Sequence, residues 1–114
     1  MLLVSQRTAY FTIFIPDQPH PAEEYAAAEL QYYTQLITGA CPRIQKEPLS
    51  PSQSCAIFIG NTKTTKSTFR TILKKPLATE EYIIRTRENH LFIFGGSPRG
   101  TLYAVYELLG KAGV

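Results

Sequence analysis

Near its C-terminal end the chain reads Gly95-Gly96-Ser97-Pro98-Arg99-Gly100, between an apolar run and an amphipathic segment. A glycine-rich turn that opens a helix leaves backbone N–H groups unpaired, and such groups can cradle a phosphate. This turn departs from both common phosphate fingerprints. A dinucleotide loop needs glycine at its first, third and sixth positions, and Ser97 holds the third. A Walker loop closes on Gly-Lys followed by Ser or Thr, which is absent here. Pro98 removes one donor as well. The segment therefore reads first as a strand-to-helix turn capped by Ser97, and only second as an anion site.

The carboxylates are the next candidates, because glycoside hydrolysis needs an acid and a second carboxylate at a defined separation. Glu23 and Glu24 stand where a helix begins and complement the positive end of its dipole. Glu80 and Glu81 open a strand, and the one aspartate, Asp17, falls in a turn-rich loop. No acid/base pair is expected among them. His20 and His90 both lie beside loops, without a second His at i+4 or a cysteine at ligand spacing, so no zinc site is expected. Cys41 and Cys55 are too few for a disulfide framework and too far apart for a CxxC motif. Two buried free thiols are the first reading and a mutual disulfide the second. No GxSxG elbow is present, and only Arg43 lies near a thiol, so no covalent nucleophile is expected. No catalytic, cofactor-binding or metal-binding residue is assigned.

Lys63, Lys66, Arg70, Lys74 and Lys75 form the densest basic cluster, which reads as a solvated helix face ahead of a nucleic-acid surface. Most of the aromatics that would stack on bases lie inside apolar runs, and no RNA-binding strand signature occurs. The formal charge of +3 asks for neither nucleic acid nor an anionic membrane. With 44% hydrophobic and 18% charged residues, the 114-residue chain has a globular composition and the size of one domain. No apolar run approaches the roughly 20 residues of a membrane span, and the start Met1–Thr8 has no signal-peptide pattern, so a soluble protein is expected.

These residues need elements to place them. The run 9–15 (AYFTIFI) reads as a buried strand stopped by Pro16. Residues 21–38 form an amphipathic helix with Ala26, Leu30, Tyr33 and Ile37 inward, Pro21 in the first turn and Gly39 as left-handed cap. Residues 42–47 make a short strand. The loop 48–54 leads to the strand 55–60 (CAIFIG), and 63–75 to a weaker helix, since four Thr and one Ser interrupt it. Residues 80–87 and 91–94 form an antiparallel hairpin whose turn uses the positive φ that Asn89 tolerates. Pro98 then starts a helix running to about 111 with Leu102, Val105, Tyr106 and Leu109 inward. The fold class is α+β with α/β character: a mixed sheet of about five strands covered by two long helices and one weaker one.

Three stretches carry a family resemblance: EEYAAAELQYYTQLITGA at 23–40, AIFIGNTK at 56–63, and EEYIIRTRENHLFIFGGSPRGTLYAVYELLGKAGV at 80–114. In order and spacing they resemble the N-terminal α/β domain of family 67 α-glucuronidases, which is related to the domain before the barrel in family 20 hexosaminidases. The resemblance implies one non-catalytic domain over 1–114, ending at Gly113-Val114 where a catalytic (β/α)8 barrel would begin. It implies that the acidic groups of the reaction lie in that barrel, and that no residue or cofactor here takes part. It further implies a polysaccharide-degrading parent exported by a bacterium, with the barrel as this domain's partner.

Two rival readings follow. A carbohydrate-binding module would need exposed aromatics, for which Tyr32, Tyr82 and Tyr103 are the candidates; a free-standing enzyme lacks the carboxylate pair. The surface facing a barrel would be partly apolar, so weak self-association of the isolated chain is expected.

Overall fold

A computed structural model describes residues 4–5, 8–9, 11–47, 55–75 and 77–111. A small antiparallel ladder joins β1 (Val4–Ser5) to β2 (Thr8–Ala9). The elements that follow are β3 (Thr12–Ile15), α1 (Pro21–Thr38), β4 (Arg43–Lys46), β5 (Ala56–Ile59), α2 (Lys63–Thr68), a 3-10 turn (Ile72–Lys74), β6 (Tyr82–Arg87), β7 (His90–Gly95) and α3 (Pro98–Lys111). Five strands form one sheet in the order β4-β3-β5-β7-β6, parallel except for β6, which runs antiparallel to β7. This is the α+β mixed sheet with two long helices and a short one that the sequence suggests.

Strand alternation explains how both faces of the sheet are buried. Ile13, Ile15, Ile57, Ile59, Leu91 and Ile93 point to one side, where Ala26, Ala27 and Leu30 of α1 and Ala104, Val105 and Leu109 of α3 cover them. Phe14, Phe58, Phe92 and Phe94 point to the other side and meet Phe69, at the end of α2. The parallel register sets Phe14, Phe58 and Phe92 side by side. Their rings stack across the strands with centroids 5.5 and 5.0 Å apart. Each such side chain, buried, contributes about 1.5–3 kcal/mol.

α1 has the bounds its sequence predicts. Its N-terminus is a capping box built on His20: Ala22 N donates to His20 Nδ1 at 3.0 Å, and His20 N donates to Glu23 Oε1 at 2.9 Å. At the other end Gly39 takes a φ of 80° and its N–H reaches Gln35 O at 2.8 Å. Ile37 departs from the expectation, being 55% exposed. The fully buried residues of α1 all lie between Glu23 and Leu30, and beyond them Tyr33 is only partly buried against the core. Tyr106 of α3 also departs from it at 43% exposure, because its phenol turns to Tyr25 of α1 at the solvent side.

Other boundaries shift for local reasons. The strand expected over 9–15 begins at Thr12, where pairing with β4 and β5 starts, while Ala9 pairs with Val4; Tyr10 lies outside the described residues. So do the loop 48–54 and the terminal Gly113-Val114. The helix expected over 63–75 splits into α2 and the 3-10 turn, with Phe69 closing the first part through its N–H to Thr65 O at 3.0 Å. The hairpin has a two-residue loop, Glu88-Asn89, because Arg87 pairs with His90. The positive φ, 57°, falls on Glu88 and not on Asn89.

Candidate functional site

The chain turns from β3 toward β4 through α1, and leaves β5 on the opposite face through α2. Adjacent strands whose connections leave in opposite directions define the switch point of a wound sheet, where ligands of such folds bind beyond the strand ends. Here that edge is filled from within. Glu23, only 4% exposed, reaches across from α1: its Oε2 accepts from Asn61 N at 3.0 Å while Oε1 holds the cap of its own helix. Gly60 sits at a φ of +86°, and any Cβ there would overlap the Glu23 carboxylate. Glu47, at the end of β4, caps α2. Its Oε1 accepts from Lys63 N at 2.8 Å, and its Oε2 accepts from Thr64 N at 3.1 Å and Thr64 Oγ1 at 2.7 Å.

Two carboxylates thus occupy the N–H groups that a bound anion would use. Glu23 and Glu24 fit the helix-start role their sequence position suggests, with Glu24 exposed, but Glu23 adds a tertiary link that the sequence does not reveal. Glu47 carries no local signature, since the amides it caps lie 16 and 17 residues away.

The glycine-rich loop at 95–100 is closed in a similar way. Ser97 Oγ accepts from Gly100 N at 3.2 Å and donates to Thr79 O at 2.6 Å. Gly96 N donates to Glu81 O at 2.9 Å, and Thr101 N to Ser97 O at 3.1 Å. The glycines serve close packing: a Cβ at Gly95 would meet Gly100 backbone within 2.6 Å, and one at Gly100 would meet Glu81 O within 2.7 Å. The loop is a capped strand-to-helix turn. Beside it, between the starts of α1 and α3, lies an open groove of about 460 Å³ lined by His20, Thr79, Arg99 and Leu102 among others.

The remaining candidates do not converge on that edge. His90 lies across the sheet at the start of β7, where its Nδ1 accepts from Ala56 N at 3.1 Å and its ring stands edge-on to Phe58. His20 serves as the α1 cap. Glu81 caps its own turn, accepting from Ala78 N at 2.7 Å, while Asp17 and Glu80 are exposed. Neither cysteine forms a disulfide, in line with the first reading; Cys55 is buried and its thiol is pushed up by that burial, whereas Cys41 is exposed where the sequence suggests a buried thiol. Cys41 follows the left-handed turn at Gly39 that carries the chain out from under α1. Among the described residues no group of three His, Cys, Asp or Glu side chains is placed to hold a metal ion.

Two surfaces stand out instead. The side of the molecule that carries α1 and α3 exposes Tyr25, Tyr32, Leu36, Ile37, Tyr103 and Tyr106, each at least 42% accessible. Tyr32 and Tyr103 are the exposed aromatics expected from the sequence; Tyr82 is half-buried, bonded to Glu107. Tyr25 and Tyr106 join them without any signal in the sequence, and they bond to each other. That bond, with the Glu29 carboxylate alongside, pushes the Tyr25 phenol up to about 12. The opposite side of the molecule carries α2 with its exposed bases.

The family model described as Glycosyl hydrolase family 67 N-terminus matches residues 4–108, which takes in every strand of the sheet and most of α3. The chain belongs to this family. The fold of this family 67 N-terminal chain also appears within a larger protein of known structure, described as a GH138 enzyme targeting pectin rhamnogalacturonan II. The two superpose with a TM-score of 0.58 at 14% identity, over 90% of this chain and 10% of that one. At that identity the likeness is one of fold, and this chain spans about a tenth of the length of the enzyme it matches. No curated protein matches it in sequence. No helix among the described residues is long and apolar enough to cross a membrane.

Proposed function

We propose that this chain is the non-catalytic accessory domain of a larger polysaccharide-degrading glycoside hydrolase, and that it packs against the catalytic domain through the side that carries α1 and α3. The observation that carries this reading is the concentration of exposed apolar side chains there. Leu36 is 65% and Ile37 55% accessible, and four tyrosines share that side with them. A soluble monomer rarely leaves a large contiguous patch of this kind bare, and domain contacts within one chain cover roughly 600–1,500 Å².

The family membership supports the catalytic side of the proposal, since domains of this family are N-terminal parts of glycosidases. The internal use of Glu23 and Glu47 supports the accessory side: these two buried carboxylates bind backbone amides of this chain and are not presented to a substrate. A catalytic (β/α)8 barrel is the partner proposed, in an enzyme exported from a bacterial cell. The test is turnover. The 114-residue chain should hydrolyse neither aryl glycosides nor glucuronoxylan fragments beyond a buffer blank. Turnover that disappears on replacing one of its glutamates would overturn the reading.

A further inference from the structure

β6 forms one margin of the sheet, with β7 on its inner side and no strand on its outer side among the described residues. The phase of its ladder is fixed at one end, where Gly96 N donates to Glu81 O at 2.9 Å. Along an antiparallel ladder, pairs that exchange hydrogen bonds alternate with pairs that do not. Glu81, Ile83, Arg85 and Arg87 are therefore the residues bonded to the β7 side. The backbone N–H and C=O groups of Tyr82, Ile84 and Thr86 face outward, and the ladder within this chain gives them no partner. The residues ahead of β6 leave that edge open, since they bend toward the start of α3, where Thr79 O accepts from Ser97 Oγ at 2.6 Å.

An open edge is a template for another strand, and edges are commonly protected by being short or charged. β4, the opposite margin, has four residues with a base at either end. β6 has six, and it begins with the uncharged, half-buried Tyr82-Ile83-Ile84. Ile83 packs into the phenylalanine cluster, whereas Tyr82 and Ile84 pack on the α1 and α3 side. By strand alternation Glu81, Arg85 and Arg87 share the side of Ile83. All three are exposed, and none has an ion-pair partner among the described residues. The Arg87 guanidinium sits 5.1 Å from the centre of the Phe69 ring, and Glu81 commits Oε1 to Ala78 N, leaving its other oxygen unengaged.

We propose that β6 is a dimerisation edge: a second copy of this chain pairs with it antiparallel about a twofold axis, joining the two sheets into one. The register follows from the outward groups. All of them, in both copies, find partners only when Ile84 meets Ile84 of the second copy and Tyr82 meets its Thr86. That register sets Arg87 opposite Glu81 of the second copy, and Glu81 opposite its Arg87, on the side of the sheet they share. Arg85 falls opposite Ile83, with Glu81 and Arg85 of the second copy diagonal to it. The next residues outward, Glu80 and Glu88, lie in turns off the ladder. An unrelated strand would meet the open backbone groups but not this acid and base pairing, and a glycan or nucleic acid has no backbone of ladder spacing. The edge lies apart from the exposed α1 and α3 side chains proposed as the domain contact, so either reading can fail alone.

The experiment is sedimentation of the 114-residue chain over a range of concentrations, with charges exchanged across the pair. The unaltered chain should dimerise as concentration rises. Arg87→Glu should weaken dimerisation at least about tenfold, because the twofold repeats the change at both ends of the ladder, and Glu81→Arg should do the same. An equimolar mixture of these two variants should dimerise like the unaltered chain, since the mixed pair again sets acid against base at both positions. Thr86→Pro removes an outward N–H and no hydrogen bond of the ladder within the chain, so it should fold and dimerise several-fold less. Leu36→Lys on α1 should leave dimerisation unchanged. Should Glu81→Arg not fold by circular dichroism, Arg87→Glu and Thr86→Pro carry the same test. A chain that stays monomeric, charge reversals without effect, a mixture no more associated than its components, or dimerisation lost with Leu36→Lys would overturn the proposal.

Discussion

Glu23 and Glu47 do at this strand edge what a bound anion does in related wound sheets, accepting from backbone amides that have no partner within their own element. Glu47 accepts three hydrogen bonds at 8% exposure, two of them from the first amides of α2. Its replacement, Glu47→Ala, leaves those amides unpaired and should lower stability by about 1–3 kcal/mol, read from the denaturant midpoint. An unchanged midpoint would mean α2 is not held by this carboxylate. Tyr25 gives a second reading at the same scale. Its phenol is held neutral in the folded chain up to about 12, by the bond to Tyr106 first and by Glu29 next. A free tyrosine ionises near 10, so between about 10 and 12 the unfolded chain has lost a proton that the folded chain keeps. Stability conferred by this contact is complete below about 10 and should be lost as pH rises through that window. Tyr25→Phe should flatten that alkaline decline in thermal midpoint. At this scale the sequence reveals local roles only: Ser97 as a cap is legible because cap and helix adjoin, and Glu47 is not, because its amides lie on another element.

The elements divide in the same way. Both long helices are legible to within a residue or so, since Pro21, Gly39, Ser97 and Pro98 mark their ends by backbone chemistry that does not depend on the rest of the fold. What lies beneath them is not legible. Ile37 has the inward azimuth of α1 yet is exposed, and Tyr106 has that of α3 yet meets Tyr25. Propensity favours Asn89 for the positive φ of the hairpin, but the Arg87–His90 register assigns that conformation to Glu88. The strands show the reverse case. Alternating Ile and Phe in β3, β5 and β7 declare two buried faces, and the structure gives each its own core. Phe58 is the middle ring of the phenylalanine stack and is fully buried. Phe58→Ala should therefore cost about 3–5 kcal/mol by chemical denaturation. A loss under about 1 kcal/mol would mean that this face does not pack as a stack.

At the scale of the molecule, strand order β4-β3-β5-β7-β6 rests on pairings between distant segments, which no local pattern encodes. It is nonetheless what separates the two surfaces. Placing α1 and α3 together on one side gathers the tyrosines, Leu36 and Ile37. Leaving α2 alone on the other gathers the bases. The central claim is that the first of these surfaces is a domain contact. The measurement that tests it most directly is hydroxyl-radical footprinting, read by mass spectrometry, of this chain alone and joined to its catalytic domain. Tyr32, Leu36, Ile37, Tyr103 and Tyr106 should be several-fold less reactive in the joined protein, with the residues of α2 unchanged. Equal reactivity of those five side chains in the two forms would contradict the account.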